Sequence, residues 1–124
     1  MDAFGLPKGT EEEKSARTKA IQDATVYAIE VPFKTIERSF DVFALCEAMA
    51  EHGNPNSVSD AGVGALCARA AVTGAYLNVK INAAGLTDKQ YAAEITAKAH
   101  DYVQKANEIE RALLAKVEEI IDKG

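Results

Sequence analysis

The segment from Ser57 to Ala84 limits the possible folds most strongly, because it is long, almost uncharged and rich in small residues. Only two formal charges, Arg69 and Lys80, lie between Asp60 and Asp88. Small residues recur four positions apart, which places them on shared faces of a helix. Three glycines lie inside the segment: Gly62, Gly64 and Gly74. Because a glycine inside a helix costs roughly 1 kcal/mol relative to alanine, we expect close helix–helix approach here and predict that this helix is central and the most buried.

Capping residues, a proline and a glycine predict where the other helices begin and end. Thr10-Glu11-Glu12-Glu13 resembles a capping box and opens a helix that runs to about Glu30. Pro32 lacks a backbone amide and restrains Val31, so we predict a break and a second helix from Pro32 to about Glu51, with Gly53 just past its end. One long kinked helix is the alternative. The apolar positions expected to face the core in the second segment are Phe33, Ile36, Phe40, Phe43, Leu45 and Met49.

A last helix opens at Thr87-Asp88-Lys89-Gln90, a further capping box that follows a stop at Gly85. Apolar residues recur along it at steps of three and four: Ile95, Ala99, Tyr102, Ala106, Ile109, Leu113, Val117 and Ile120. Such a seam packs lengthwise against a partner helix. With no sign of a strand pair, we predict an all-α protein, an antiparallel helical bundle forming a single domain over residues 1–124.

Composition excludes several classes of function. The net charge of −5 is spread along the chain without a basic stripe, so we expect no nucleic-acid partner. No apolar run is long enough to span a bilayer and the N-terminus is too polar for a signal peptide, so we expect no membrane partner. Cys46 and Cys67 are interpreted as small buried residues in a reducing compartment, which favours the cytoplasm. His52 and His100 stand alone as surface residues, and no metal site is expected.

The polar stretch before the central helix is a candidate site. Asp60 is the only carboxylate in that helix, and it is either a general acid or base or a first-turn residue that binds free amides. Ser57 and Ser59 have the same two interpretations, ligand contact or helix cap. Asn54 and Asn56 flank Pro55, where asparagines usually make turns through side-chain-to-backbone bonds, and a ligand role is the alternative.

The far end of the same helix carries a second polar group. Asn78 and Asn82 lie four residues apart on one face of an apolar segment, so they either bond to neighbouring helices or face a polar ligand. Lys80 lies roughly opposite them and is either solvated or an anion contact. Asp60 and Asn78 share a face but are separated by eighteen residues, about 27 Å along a straight helix. If both serve one site, a second antiparallel copy of the helix must supply one of them, which predicts a homodimer.

Several segments of this chain together resemble a known family. They are Ala3-Phe4-Gly5-Leu6-Pro7-Lys8, Thr10-Glu11-Glu12-Glu13-Lys14, Glu30-Val31-Pro32, Gly53-Asn-Pro-Asn-Ser-Val-Ser-Asp-Ala-Gly62 and Gly74-Ala-Tyr-Leu-Asn-Val-Lys-Ile-Asn82. The pattern is similar to the cyclodeaminase domain of the formiminotransferase-cyclodeaminase family, which includes stand-alone methenyltetrahydrofolate cyclohydrolases. The resemblance covers essentially the whole chain, and its most specific part is the block from Asn54 to Asp60.

This resemblance implies an all-helical dimeric fold and a folate one-carbon enzyme. The reaction is either cyclisation of a 5-formimino group with release of ammonia or opening of a 5,10-methenyl bridge by water. Tetrahydrofolate is then the substrate carrier, and no further cofactor is expected. Carried over by position, Asp60 is the acid or base. The substrate-binding residues implied are Asn54, Ser57, Ser59, Asn78, Lys80 and Asn82.

One part of the family pattern is missing from this sequence. Family members begin with a further helical segment that carries a Gly-rich motif, and this chain begins after it. The competing hypothesis is therefore a catalytically incomplete helical dimerisation module that keeps the family scaffold.

Overall fold

The computed structural model describes residues 2–124. Three long helices make up most of the chain: α1 (Glu11–His52), α2 (Val58–Ala83) and α3 (Lys89–Lys123). Two short 3-10 helices, Asp2–Gly5 and Pro55–Ser57, precede α1 and α2. No strand occurs in the described residues, which confirms the all-α prediction.

The predicted break at Val31-Pro32 is wrong, because α1 runs through Pro32 as one helix of 42 residues. The single-helix alternative is the correct one. Proline in a helix interior removes one backbone hydrogen bond, a cost of about 3 kcal/mol. Ile29 and Ile36, on either side of it, are both completely buried. Packing of the two flanking turns on the core outweighs the local cost, so the helix continues.

Helix α2 packs against both α1 and α3, as expected of a central helix. A Cβ added at Gly64 would lie 2.9 Å from Cys46 Sγ of α1, and one added at Gly62 would lie 3.4 Å from Leu114 Cδ2 of α3. These two glycines therefore permit the close approach that was predicted. Gly74 differs, since apart from its chain neighbours and the nearby backbone of its own helix no described atom lies within 4 Å of its added Cβ. Within one chain, close packing does not explain Gly74.

The core is formed by one face of each helix. The α3 seam is confirmed: Ala99, Ala106, Leu113 and Val117 are buried, and the other predicted positions are partly buried against the same core. On α1, Ile36 and Phe43 are buried as expected. Leu45 and Met49 are not, with 61% and 44% of their surface exposed. The prediction was wrong for these two because they lie on the side of α1 that turns away from α2 and α3.

Side-chain hydrogen bonds hold the ends of the helices. Thr10 Oγ1 accepts from the Glu13 amide at 3.1 Å, which confirms the first capping box. At α3 the N-cap is Asp88, which accepts from the Tyr91 amide at 3.0 Å. The prediction that Thr87 opens this helix was wrong by one residue, because the Thr87 hydroxyl donates to Gln22 Oε1 of α1 at 3.3 Å and Asp88 caps the helix instead.

The two cysteines lie in different environments. Both are free; Cys46 is buried in the α1–α2 contact, whereas Cys67 is exposed on α2. The interpretation of Cys67 as a buried residue was therefore wrong. Among the described residues no helix is long and apolar enough to cross a membrane.

Candidate functional site

The loop before α2 is held by its own backbone and one asparagine. Asn54 Oδ1 accepts from the Asn56 amide at 3.0 Å, and the Ser57 amide donates to the Asn54 carbonyl at 2.9 Å. Pro55 occupies the first turn of the short 3-10 helix, where its missing amide is not needed. Asn54 thus makes the turn expected from its place beside proline, and the turn delivers the chain into α2.

The side chains of Ser57, Ser59 and Asp60 do not form the helix-capping hydrogen bonds that the sequence analysis gave as one alternative. Ser57 is the N-cap residue of α2, yet its side chain makes no capping hydrogen bond. Ser59 and Asp60 are exposed, and neither side chain bonds to another residue in the described part of the chain. The hydroxyls and the carboxylate at this end of α2 therefore remain available to a ligand.

The asparagine pair at the other end of α2 is more exposed than the sequence suggested. Asn78 is exposed and Asn82 is half-buried. Asn82 Nδ2 donates to the Asn78 carbonyl at 2.9 Å, one turn earlier in the same helix. In the described residues neither side chain bonds to a neighbouring helix, so that alternative was wrong. The Asn78 amide faces solvent and is available for contact.

Lys80 belongs to a third group, in a groove between α2 and α3 that we call the Lys80 groove. The groove has a volume of about 530 Å³ and is lined by Tyr76, Lys80, Ala83, Ala84, Lys89, Ala92, Ala93, Thr96, Ala97 and His100. Lys80 Nζ lies 5.9 Å from the centre of the Tyr76 ring, and the Tyr76 and His100 rings lie 5.6 Å apart. None of the described residues that line the groove is acidic.

The sequence analysis missed the partners of Lys80 in this groove. His100 is exposed as predicted, but it packs on Tyr76 rather than standing alone. The spacing of Tyr76 and Lys80, one helical turn apart, was a local signal that could have been found. The contribution of Lys89 and His100 depends on how α3 packs against α2, which local spacing does not reveal.

The predicted site residues thus fall into separate groups along α2. Asn54, Ser57, Ser59 and Asp60 lie at its N-terminal end, while Asn78, Asn82 and Lys80 lie near its C-terminal end. At 1.5 Å per residue the eighteen positions from Asp60 to Asn78 span about 27 Å. Within one chain these side chains do not converge on one small ligand.

A face of α2 between these two ends is apolar and uncovered. Its large side chains are Val63, Leu66, Leu77 and Ile81, which are 57%, 41%, 58% and 74% exposed. Cys67 and Gly74 lie on the same face by helical spacing, and both are exposed. We call this surface the open face of α2. Helix α2 nevertheless has nine buried residues among its 26, against five in each of the longer helices α1 and α3, which confirms the prediction that it is the most buried of the three.

No group of three or more histidine, cysteine, aspartate or glutamate side chains that could hold a metal ion occurs in residues 2–124. The polar groups on α2 are instead hydroxyl, amide, carboxylate and ammonium groups. Such a set can bind and orient a polar organic ligand and move a proton.

Comparison with known proteins adds an independent finding. The chain is 48% identical to a methenyltetrahydrofolate cyclohydrolase of Methylorubrum extorquens over 94 residues, which cover 76% of this chain and 45% of that protein. It is 35% identical to a formimidoyltransferase-cyclodeaminase of Gallus gallus over 118 residues, 95% of this chain and 22% of that protein. A formimidoyltransferase-cyclodeaminase of Dictyostelium discoideum is 34% identical over 108 residues, 87% of this chain and 19% of that protein.

The chain therefore spans less than half the length of each of these relatives. The family model described as formiminotransferase-cyclodeaminase matches residues 1–101, which include α1, α2 and the start of α3. The resemblance noted from the sequence is confirmed by this match, and the chain belongs to the formiminotransferase-cyclodeaminase family.

Proposed function

We propose that this chain is part of a folate one-carbon enzyme that acts on 5-formimino- or 5,10-methenyltetrahydrofolate. The observation that carries the proposal is the exposed carboxylate of Asp60, which bonds to no other described residue, in the first turn of α2. Ser57, the N-cap residue of the same helix, has a hydroxyl that makes no capping hydrogen bond. A carboxylate that satisfied helix amides would have a structural role, and Asp60 has no such bond in the described residues. The names of the relatives from Methylorubrum extorquens and Gallus gallus support the choice of substrate.

Both candidate reactions need proton transfer at one carbon held between two nitrogens. In the hydrolytic reaction water adds to the cationic methenyl carbon and one carbon–nitrogen bond breaks; one proton of the water passes to the released nitrogen and the other is released to solvent, which leaves a neutral formyl group. In the deaminating reaction the second folate nitrogen attacks the formimino carbon, and the departing amine leaves as ammonia after taking up a proton. Asp60 would carry that proton in either case. No cofactor beyond tetrahydrofolate, the substrate carrier, is required.

The remaining polar residues would bind and position the substrate. Asn54, Ser57 and Ser59 surround Asp60 in sequence and would shape its end of the site. Asn78, Asn82 and Lys80 would hold another part of the folate. The two groups can contact one substrate molecule only if Asp60 and Asn78 lie close together, and within one chain they are about 27 Å apart.

We propose a homodimer in which the open faces of two α2 helices pack antiparallel, so that Asp60 of one chain lies near Asn78 of the other. Four exposed apolar side chains support this, since such a patch favours association. Gly74 supports it as well, because a glycine on that face permits close helix approach. We also propose that each chain is an antiparallel bundle of three helices. The Gln22–Thr87 contact joins the first half of α1 to the loop just before α3, and the Glu51–Lys116 contact joins the C-terminal ends of α1 and α3, so α2 runs antiparallel to both.

Cys67 provides a test of the dimer. Its thiol lies on the open face, so association should slow its reaction with a thiol reagent as the protein concentration rises. Sedimentation over the same range should report a shift from one chain to two. A labelling rate that stays constant while the mass doubles would place the interface elsewhere. We further place the protein in the cytoplasm, a proposal supported by its two free thiols.

The enzyme proposal is tested by turnover of methenyltetrahydrofolate, followed by its absorbance, and of formiminotetrahydrofolate, followed by ammonia release. Asp60→Asn should lower kcat at least about 100-fold, because general acid–base catalysis contributes roughly that much. Asp41→Asn, an exposed carboxylate on α1, is the matched control and should leave kcat unchanged. No acceleration by the wild-type chain with either substrate contradicts the proposal.

The second candidate function is a non-catalytic dimerisation module. The open apolar face of α2 favours it, because association needs that face and does not need Asp60. A dimer that turns over neither substrate supports the module. Turnover that is lost in Asp60→Asn, with the dimer intact, supports the enzyme.

A further inference from the structure

The Lys80 groove differs in charge from the rest of the molecule. The chain as a whole has a net charge of −5, yet the groove contains two lysines and one histidine and no acid among the described lining residues. A concave surface lined by one sign of charge attracts ligands of the opposite sign. The groove therefore selects an anion.

The uncharged residues that line the Lys80 groove also restrict the kind of ligand that it can bind. Five alanines line it, so its floor is apolar and leaves space above the methyl groups. Tyr76 and His100 also line the groove, and their rings are tilted by 54° to each other. Flat rings pack well on such surfaces, through offset or edge contacts with aromatic side chains. The shape therefore selects an anion with a flat apolar body.

The ammonium groups of Lys80 and Lys89 can contact such a ligand, because neither forms an ion pair with a carboxylate among the described residues. Lys80 Nζ rests over the Tyr76 ring, and Lys89 Nζ donates to the Ala84 carbonyl at 3.3 Å. Both contacts are with neutral groups. An ammonium group so placed keeps donors for a carboxylate, since it has three.

We propose that the Lys80 groove binds a flat aromatic ring that carries carboxylates. This inference rests on the proposed function, in which that ligand is the p-aminobenzoyl-glutamate end of tetrahydrofolate. The ring packs against Tyr76 and the alanine floor, and the glutamate carboxylates contact Lys80 and Lys89.

The test uses p-aminobenzoyl-glutamate as the probe, with the intact chain, by calorimetry and by protein NMR. The double variant Lys80→Gln and Lys89→Gln should weaken binding roughly tenfold, as expected for two partly exposed charge contacts. The matched control is Lys34→Gln with Lys98→Gln, which makes the same change in net charge at exposed positions outside the groove. It should bind as the wild type does. Equal weakening in both double variants means a general charge effect and overturns the proposal.

The ring contact is tested separately. The probe should shift the NMR signals of Tyr76 and His100, and p-aminobenzoate should shift the same signals with lower affinity. Free glutamate should shift them less than p-aminobenzoate. Probe-induced shifts confined to residues outside the groove overturn the assignment.

Kinetics distinguish failure of this inference from failure of the proposed function. In the folate reaction the Lys80 and Lys89 variants should raise KM about tenfold and leave kcat unchanged, since their proposed contacts are with the glutamate end of the substrate and take no part in the proton transfer. Turnover with an unchanged KM overturns the groove and leaves the enzyme proposal standing. Probe binding that depends on the two lysines, in a chain without turnover, supports the groove as a site and contradicts the enzyme proposal.

Discussion

The contact between Gly64 of α2 and Cys46 of α1 offers a quantitative test of how these helices pack. A Cβ at Gly64 would lie 2.9 Å from Cys46 Sγ, well inside the optimal separation of non-bonded heavy atoms, about 3.5–4.0 Å. Cys46 is only 4% exposed, so its sulfur has little free space into which it can move. Gly64→Ala must therefore move a buried side chain or separate the two helices.

Two opposing effects set the size of the change. Alanine is about 1 kcal/mol better than glycine inside a helix. Overpacking a core usually costs about 1–3 kcal/mol. We expect Gly64→Ala to lower the free energy of unfolding by about 1 kcal/mol, which for a chain of this length lowers the Tm by roughly 3–6 °C.

Gly74→Ala and Cys46→Ala are the matched comparisons. Gly74 has no described atom near its added Cβ, so Gly74→Ala should raise the stability of the monomer by about 1 kcal/mol. Cys46→Ala removes the clashing sulfur. It should therefore cost about 1–2 kcal/mol less in the Gly64→Ala background than in the wild type, a coupling typical of residues in contact.

Urea unfolding followed by circular dichroism, at concentrations low enough for monomers, measures the wild type, the three single variants and the Gly64→Ala/Cys46→Ala double variant. The reasoning predicts a loss for Gly64→Ala, a gain for Gly74→Ala, and favourable coupling between Gly64→Ala and Cys46→Ala. If Gly64→Ala and Gly74→Ala gain the same stability and no coupling is found, the close α1–α2 packing is refuted.

Three further predictions concern other parts of the fold. The pKa of Glu51 is lowered by a hydrogen bond from Lys116, 2.6 Å away, and by the charge of that lysine, so this pair should stabilise the fold above about pH 4.5 and lose that effect as pH falls through the lowered pKa. When urea midpoints are measured against pH, Glu51→Gln should therefore reduce their fall on the acid side, and an unchanged slope would contradict this. A thiol reagent should modify Cys67 quickly in the monomer and Cys46 slowly, because burial raises the pKa of the Cys46 thiol and hides it; two equally fast thiols would count against the packing. Pro32→Ala should raise the unfolding free energy by about 1–3 kcal/mol by restoring one helix hydrogen bond, and a lower urea midpoint would show that the proline ring itself is needed.

The parts of the fold that were predicted correctly have local causes. Thr10 caps the first helix through a residue three positions away, and the α3 seam depends on spacing within one helix. Pro32 misled the prediction because its cost is local, while the gain that offsets it comes from Ile29 and Ile36 packing on the core. Long-range packing of that kind leaves no signal next to the proline.

The site was harder to predict for a similar reason. Helix α2 has small or apolar residues on nearly every side, so its sequence does not indicate which side the other helices cover. The open face could be recognised only after Gly62 and Gly64 were seen against α3 and α1. Lys80 was placed opposite Asn78 by helical spacing alone, but Lys89 and His100 join it from the next helix, α3, whose packing on α2 the spacing does not reveal.

The open face of α2 connects association with catalysis. Gly74 weakens the helix by about 1 kcal/mol and gains no contact within the described chain, whereas Gly62 and Gly64 each have a helix packed against them. A second α2 across Gly74 gives this glycine the same role, and the same antiparallel arrangement brings Asp60 of one chain near Asn78 of the other. Specific activity should therefore fall as the protein is diluted below the dimer Kd and recover on concentration. Activity per chain that stays constant into the range where sedimentation reports monomers would mean that one chain holds a complete site.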